Sequence, residues 1–150
     1  MEFKTPQSLK LEHEELHSQL AEATKVKGPI GEAAKAVAKI MHPHFLKEEE
    51  YALPPLGLLP FLAQGNVSPD MRDVLGMTDR LKAELHEMLE EHKAIVSALK
   101  KLSDVAKKEN KMKYAQFAEK LMLHAQTEEE VSYPTAILIG EHVKLKTNLL

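Results

Sequence analysis

The chain has no cysteine. That absence excludes a disulfide, a zinc site built on thiolates and a cysteine-held iron–sulfur cluster, so any bound metal must rest on histidine and carboxylate side chains. Charge of one sign is not in excess either. The net charge is −3, with lysine and glutamate interleaved along the same segments, and there is no basic stripe to follow a phosphate backbone. No nucleic acid partner is expected. Long hydrophobic runs are missing as well: the longest, residues 53–63, is interrupted by Pro54, Pro55 and Pro60, and residues 1–10 lack the continuous apolar segment of a signal peptide. These absences point to a cytoplasmic chain with no membrane span. With 43% hydrophobic and 29% charged residues, the composition is that of a folded globular protein rather than a disordered one. Its length suits one domain over residues 1–150.

What the sequence does contain is helical periodicity and histidine. Glycine and proline gather at Gly28, Pro29 and Gly31 and again between Pro54 and Pro69, with a weaker polar joint at residues 107–111. Between these joints four helical patterns can be read. Leu9, Leu16 and Leu20 mark the first, and Ile30, Val37, Ile40 and Met41 the second. Leu81, Leu85, Met88, Ile95 and Leu99 mark the third, and Phe117, Leu121 and Val131 the fourth. No segment alternates as a strand. Ser68 and Pro69 suit the start of the third helix, Pro54 ends the second, and Pro43 is expected to kink the second just before His44. The expected architecture is all-α, an up-down-up-down four-helix bundle.

The eight histidines are not scattered. At an offset of about eighty residues, the chain repeats itself. His44, Glu48, Glu49, Glu50 and Pro54 recur as His124, Glu128, Glu129, Glu130 and Pro134, and the pair Glu12-His13 recurs as Glu91-His92. Each half is a helix pair carrying one lone histidine and one HxxxE. At about 100° per residue, His13 lies in the stripe of Leu9, Leu16 and Leu20, and His44 and Glu48 lie among Ile30, Val37 and Met41. His92 lies among Leu85, Met88, Ile95 and Leu99, and His124 and Glu128 share a face with Phe117, Leu121 and Val131. His42, His86 and His142 fall outside these stripes, and Glu49, Glu50, Glu129 and Glu130 read as solvated faces. Tyr51 reads as core.

Four imidazoles and two carboxylates on core faces would be costly without partners. A metal supplies the partner, because HxxxE sets two ligands on adjacent turns of one helix face. The six divide into two sets of two histidines and one carboxylate, a combination typical of non-haem iron with open positions. The candidate ligands are therefore His13, His44, Glu48, His92, His124 and Glu128. His17, one turn beyond His13, is either a seventh ligand that makes two metals unequal or a residue behind the ligands. Iron is the expected metal, and manganese and zinc suit the same donors.

The order His13, then His44 with Glu48, then His92, then His124 with Glu128, resembles the hemerythrin-like family of HHE cation-binding domains over nearly the whole chain. The resemblance implies a di-iron centre in a four-helix bundle, bridged by the two glutamates and an oxo or hydroxo group. It further implies the binding, sensing or reduction of a small diatomic or peroxidic ligand such as oxygen, nitric oxide or peroxide, or else iron storage, iron donation or metal-dependent regulation. The oxygen-carrying hemerythrins take HxxxH from the third helix and an Asp five residues beyond the fourth-helix His. Here Met88 occupies the first position and Glu128 follows His124 at four, which argues against a simple oxygen carrier.

Overall fold

In a computed structural model, which describes residues 1–148, the chain is entirely helical among the described residues. Helix α1 spans Gln7–Thr24 and α2 spans Pro29–Lys47. A π-helical turn, Glu48–Ala52, extends α2, and a 3-10 turn, Pro54–Leu58, leads into the short helix α3, Leu59–Ala63. A second 3-10 turn, Pro69–Val74, opens the long helix α4, Leu75–Lys108. Helix α5, Met112–Thr127, continues through a π-helical turn, Glu128–Ser132, into α6, Tyr133–Thr147. The rods of the bundle are thus α1, α2 with its π turn, α4, and the continuous α5–α6, as the sequence pattern predicts. None of these helices is long and apolar enough to cross a membrane.

The short joints make α1 and α2, and α4 and α5, antiparallel neighbours. Gly28 turns the chain with φ +92°, a region open to glycine, and Pro29 occupies the first turn of α2, where its missing N–H costs nothing. At Gly31 a Cβ atom would stand 1.8 Å from the Val26 carbonyl oxygen, so the turn can lie directly on α2 only because that residue is glycine. Helix α2 runs on through Pro43 to Lys47 without interruption. The segment from Leu53 to Leu58 is a packed part of the core: Leu53, Leu56 and Leu58 are buried, and the 3-10 turn rests on α6.

The core comprises two apolar clusters. One gathers Leu16, Leu20, Val37, Met41, Ile95, Leu99 and Leu121 with their neighbours, and the other Tyr51, Leu53, Leu81, Met88, Tyr133 and Ile139 with theirs. Each fully buried Leu or Ile contributes about 1.5–3 kcal/mol, so the clusters hold the rods in register on both sides of what lies between them. Along α1, α2 and α4 the histidines fall at the junction of the two clusters. His13 precedes Leu16, His44 follows Met41, and His92 sits between Met88 and Ile95. The polar groups are therefore clamped within the bundle.

Candidate metal centre

Both HxxxE segments end in a π-helical turn, at Glu48–Ala52 and Glu128–Ser132. In such a turn residues five apart share a face, and single π turns inside α-helices concentrate at functional sites. The extra residue explains a correction to the uniform wheel. Val131, expected on the inward face with His124 and Glu128, is 56% exposed. Tyr133, five residues beyond Glu128, rotates inward and is fully buried. Leu53 holds the corresponding place five residues beyond Glu48, and its N–H bonds to the Glu48 carbonyl at 2.9 Å.

The six expected ligands come together in two overlapping groups. One consists of His44, Glu48, His92 and Glu128, the other of His13, His124 and Glu128, with the donor atoms of each group within 4.8 Å of one another. Glu128 spans both: Oε1 lies 3.4 Å from His92 Nε2, while Oε2 lies 3.4 Å from His13 Nε2 and 3.2 Å from His124 Nε2. Glu48 Oε1 likewise lies 3.6 Å from His44 Nε2 and 3.9 Å from His13 Nε2. His17 belongs to neither group. Its ring packs on Phe45, with centroids 4.7 Å apart, and faces His42 at 5.9 Å. His42 and His86 are exposed and His142 is half-buried.

A layer of carboxylates behind the histidines was not expected from the sequence. Glu91 accepts from His44 Nδ1 at 2.9 Å and from Lys47 at 2.8 Å. Glu129, which had read as a solvated face, accepts from His92 Nδ1 at 3.1 Å, and Glu12 accepts from His124 Nδ1. The signal was present in the repeated Glu-His pairs. Glu12 and Glu91 each precede an inward histidine and reach across to the HxxxE histidine of the other half. The repeat fails at His13, whose Nδ1 is buried without a partner.

These contacts test whether a cation fits. A carboxylate at Nδ1 fixes the proton there and leaves Nε2 as a bare lone pair, the form in which imidazole binds metal. Yet the Nε2 atoms of His44 and His92 stand only 2.9 Å apart. The Tyr133 hydroxyl donates its one proton to Glu48 Oε2 at 2.8 Å and so presents lone pairs to both imidazoles, each at 3.1 Å. Glu48 Oε1 is buried with no hydrogen-bond partner, and His124 Nε2, though 3.2 Å from Glu128 Oε2, is buried without an aligned hydrogen bond. Crowded acceptors without donors are unfavourable in a dry interior and are satisfied by a cation.

The electrostatics divide the site: His44 and Glu128 are held in the forms that bind metal, and His124 and Glu48 are pushed toward their protonated forms, whose protons a cation would displace. Burial lowers the pKa of His44 against the pull of Glu91 and so favours the neutral ring. Burial also works against the charged form of His124, but Glu128 and Glu12 outweigh it and raise the pKa. Burial and the adjacent Glu128 push Glu48 well above the ordinary carboxylate range. Burial opposes charge on Glu128 too, yet its contacts with Glu48, His124, His13 and His92 hold it well below that range. Buried acids and bases with such displaced values mark functional sites.

A cavity of about 70 Å³ adjoins the second group, lined by His13, His124 and Glu128 with Leu9 and Leu53 among the other walls. Comparison with curated proteins and with solved structures found no match. The sequence profile of the hemerythrin HHE cation-binding domain matches residues 5–136, a span that includes every ligand candidate. The chain belongs to the hemerythrin HHE cation-binding domain family.

Proposed function

We propose that the chain, as a single hemerythrin-like domain, holds two iron ions and binds a small diatomic or peroxidic ligand beside them. His44 and His92 hold one ion, His13 and His124 the other, and Glu48 and Glu128 are shared between the two. The observation that carries this reading is the pair of Nε2 atoms of His44 and His92 that face each other 2.9 Å apart, with a carboxylate at the Nδ1 of each ring. Adjacent corners of an octahedron with metal bonds of about 2.1 Å lie roughly 3.0 Å apart. Two histidines with a carboxylate favour iron among the metals these donors accept.

When bound, iron supplies Lewis acidity and one-electron redox chemistry toward oxygen, nitric oxide or peroxide. The chain's own residues prepare the place. Glu12, Glu91 and Glu129 hold the Nδ1 protons of three histidines, so each Nε2 faces the centre. Leu9 and Leu53 give the cavity an apolar wall, while His13, His124 and Glu128 form its polar floor. Its volume of about 70 Å³ exceeds the roughly 10–15 Å³ needed to admit one water, which leaves room for a diatomic molecule or peroxide. His17 stays outside the centre.

The test is to load reduced protein with iron anaerobically and titrate it separately with nitric oxide, oxygen and peroxide, following the visible spectrum. A saturable change with at least one of them is expected. Leu53→Trp, which fills the cavity, should abolish that change and keep both irons. Iron-loaded protein that responds to none of the three, yet gives up its metal to an acceptor, would replace ligand binding with storage or donation.

A further inference from the structure

The repeat places unlike residues at equivalent positions. Leu53 and Tyr133 both follow their glutamate by five residues and both precede a proline, so both π turns aim them at the centre. Leu53 can only wall a cavity. Tyr133 brings an oxygen to the His44 and His92 side, where it lies 3.1 Å from each Nε2, and those two lie 2.9 Å apart. The three atoms form a nearly equilateral triangle. Its edges match those of one octahedral face around an ion with bonds of about 2.1 Å, which are roughly 3.0 Å.

We propose that Tyr133 is a metal ligand, joining His44 and His92 on one face of the same ion. This rests on the proposed metal centre. On binding, the bond between Oη and its hydrogen breaks, the proton leaves to water, and one bond forms between Oη and the ion. No electron is transferred. Glu48 Oε2, which receives the Tyr133 hydrogen bond, is then released for its own bond to metal. The arrangement makes the centre unequal without His17. Tyr133 fills a position on the His44 side, and the His13 and His124 side, with Leu53 and the cavity, keeps the open one.

Phenolate bound to iron(III) gives an intense visible charge-transfer band and resonance-enhanced phenolate ring vibrations, and imidazole or carboxylate ligands give neither. The test uses full-length protein loaded with iron(III), its metal content measured first. Wild type should bind two irons and show both signatures, and Tyr133→Phe should keep two irons and lose both. The chain has three tyrosines, so a doubly substituted Tyr51→Phe, Tyr114→Phe protein decides the matter even if Tyr133→Phe does not fold. Retention of the phenolate ring vibrations there assigns them to Tyr133, and their loss overturns the proposal. Wild type with two irons and no phenolate signature also overturns it and leaves the metal centre standing. Wild type that binds no iron removes the metal centre itself.

Discussion

Glu91 offers the sharpest single perturbation of the layer behind the histidines. Its two oxygens are divided between His44 Nδ1 at 2.9 Å and Lys47 Nζ at 2.8 Å. Glu91→Ala therefore removes the group that orients the His44 ring and keeps its proton on the far nitrogen. Loss of such a partner lowers metal affinity about 10–100-fold, or roughly 1.4–2.7 kcal/mol. The ligands themselves remain, so the stoichiometry should stay at two. Competition with a chelator of known affinity, read by metal transfer, measures the change. Glu87→Ala is the control, because Glu87 touches the same Lys47 at 3.3 Å and is largely exposed. Equal affinities of wild type, Glu91→Ala and Glu87→Ala would refute the orienting role. The metal-free protein adds a pH test. Burial opposes the charge on Glu91, but Lys47 and His44 hold its pKa below the ordinary 4.5. A depressed carboxylate stabilises the fold above its unfolded pKa, and that contribution is lost as pH falls through the folded value. The stability difference between wild type and Glu91→Gln should therefore persist at neutral pH and shrink as pH drops below 4.5, as followed by urea unfolding.

His44→Ala and His124→Ala should each lose most bound metal, while His42→Ala, His86→Ala and His17→Ala keep two ions and unchanged spectra, as checked by elemental analysis and visible absorption. Removing metal should lower the melting temperature. At a free-metal concentration of one hundred times Kd, a single site contributes about 2.7 kcal/mol, or roughly 5–10 °C for a chain of this size. Differential scanning calorimetry with and without chelator measures it, and an unchanged transition would show that the buried groups are satisfied without metal.

Much of this was legible because helix periodicity and repetition act over long stretches. His13, His44, Glu48, His92 and Glu128 are all buried as their wheel positions predict, and His42 and His86 are exposed. The failures begin where the helix changes pitch. One extra residue in the π turn after Glu128 turns Val131 out and Tyr133 in, and a wheel at constant angle carries no trace of it. The clue lay in the repeat, which matches Pro54 with Pro134 but sets Leu53 against Tyr133. Glu129 lies on a solvated face as expected, and its bond to His92 went unseen for a different reason. Its side chain is 40% exposed, so its periodicity is that of a surface residue, and only the neighbouring helix reveals its bond to His92. Contacts between rods depend on their packing, which periodicity within one rod does not encode.

On the proposed reading, the inward histidines and glutamates hold a pair of metal ions. The most direct measurement is the metal-to-chain ratio of protein purified from iron-replete cells, with elemental identity determined by mass spectrometry. Two ions per chain, both iron, are expected, with the loss of most of that metal in His44→Ala. A ratio near zero in the wild type, or two ions retained in full after His44→Ala, would contradict it.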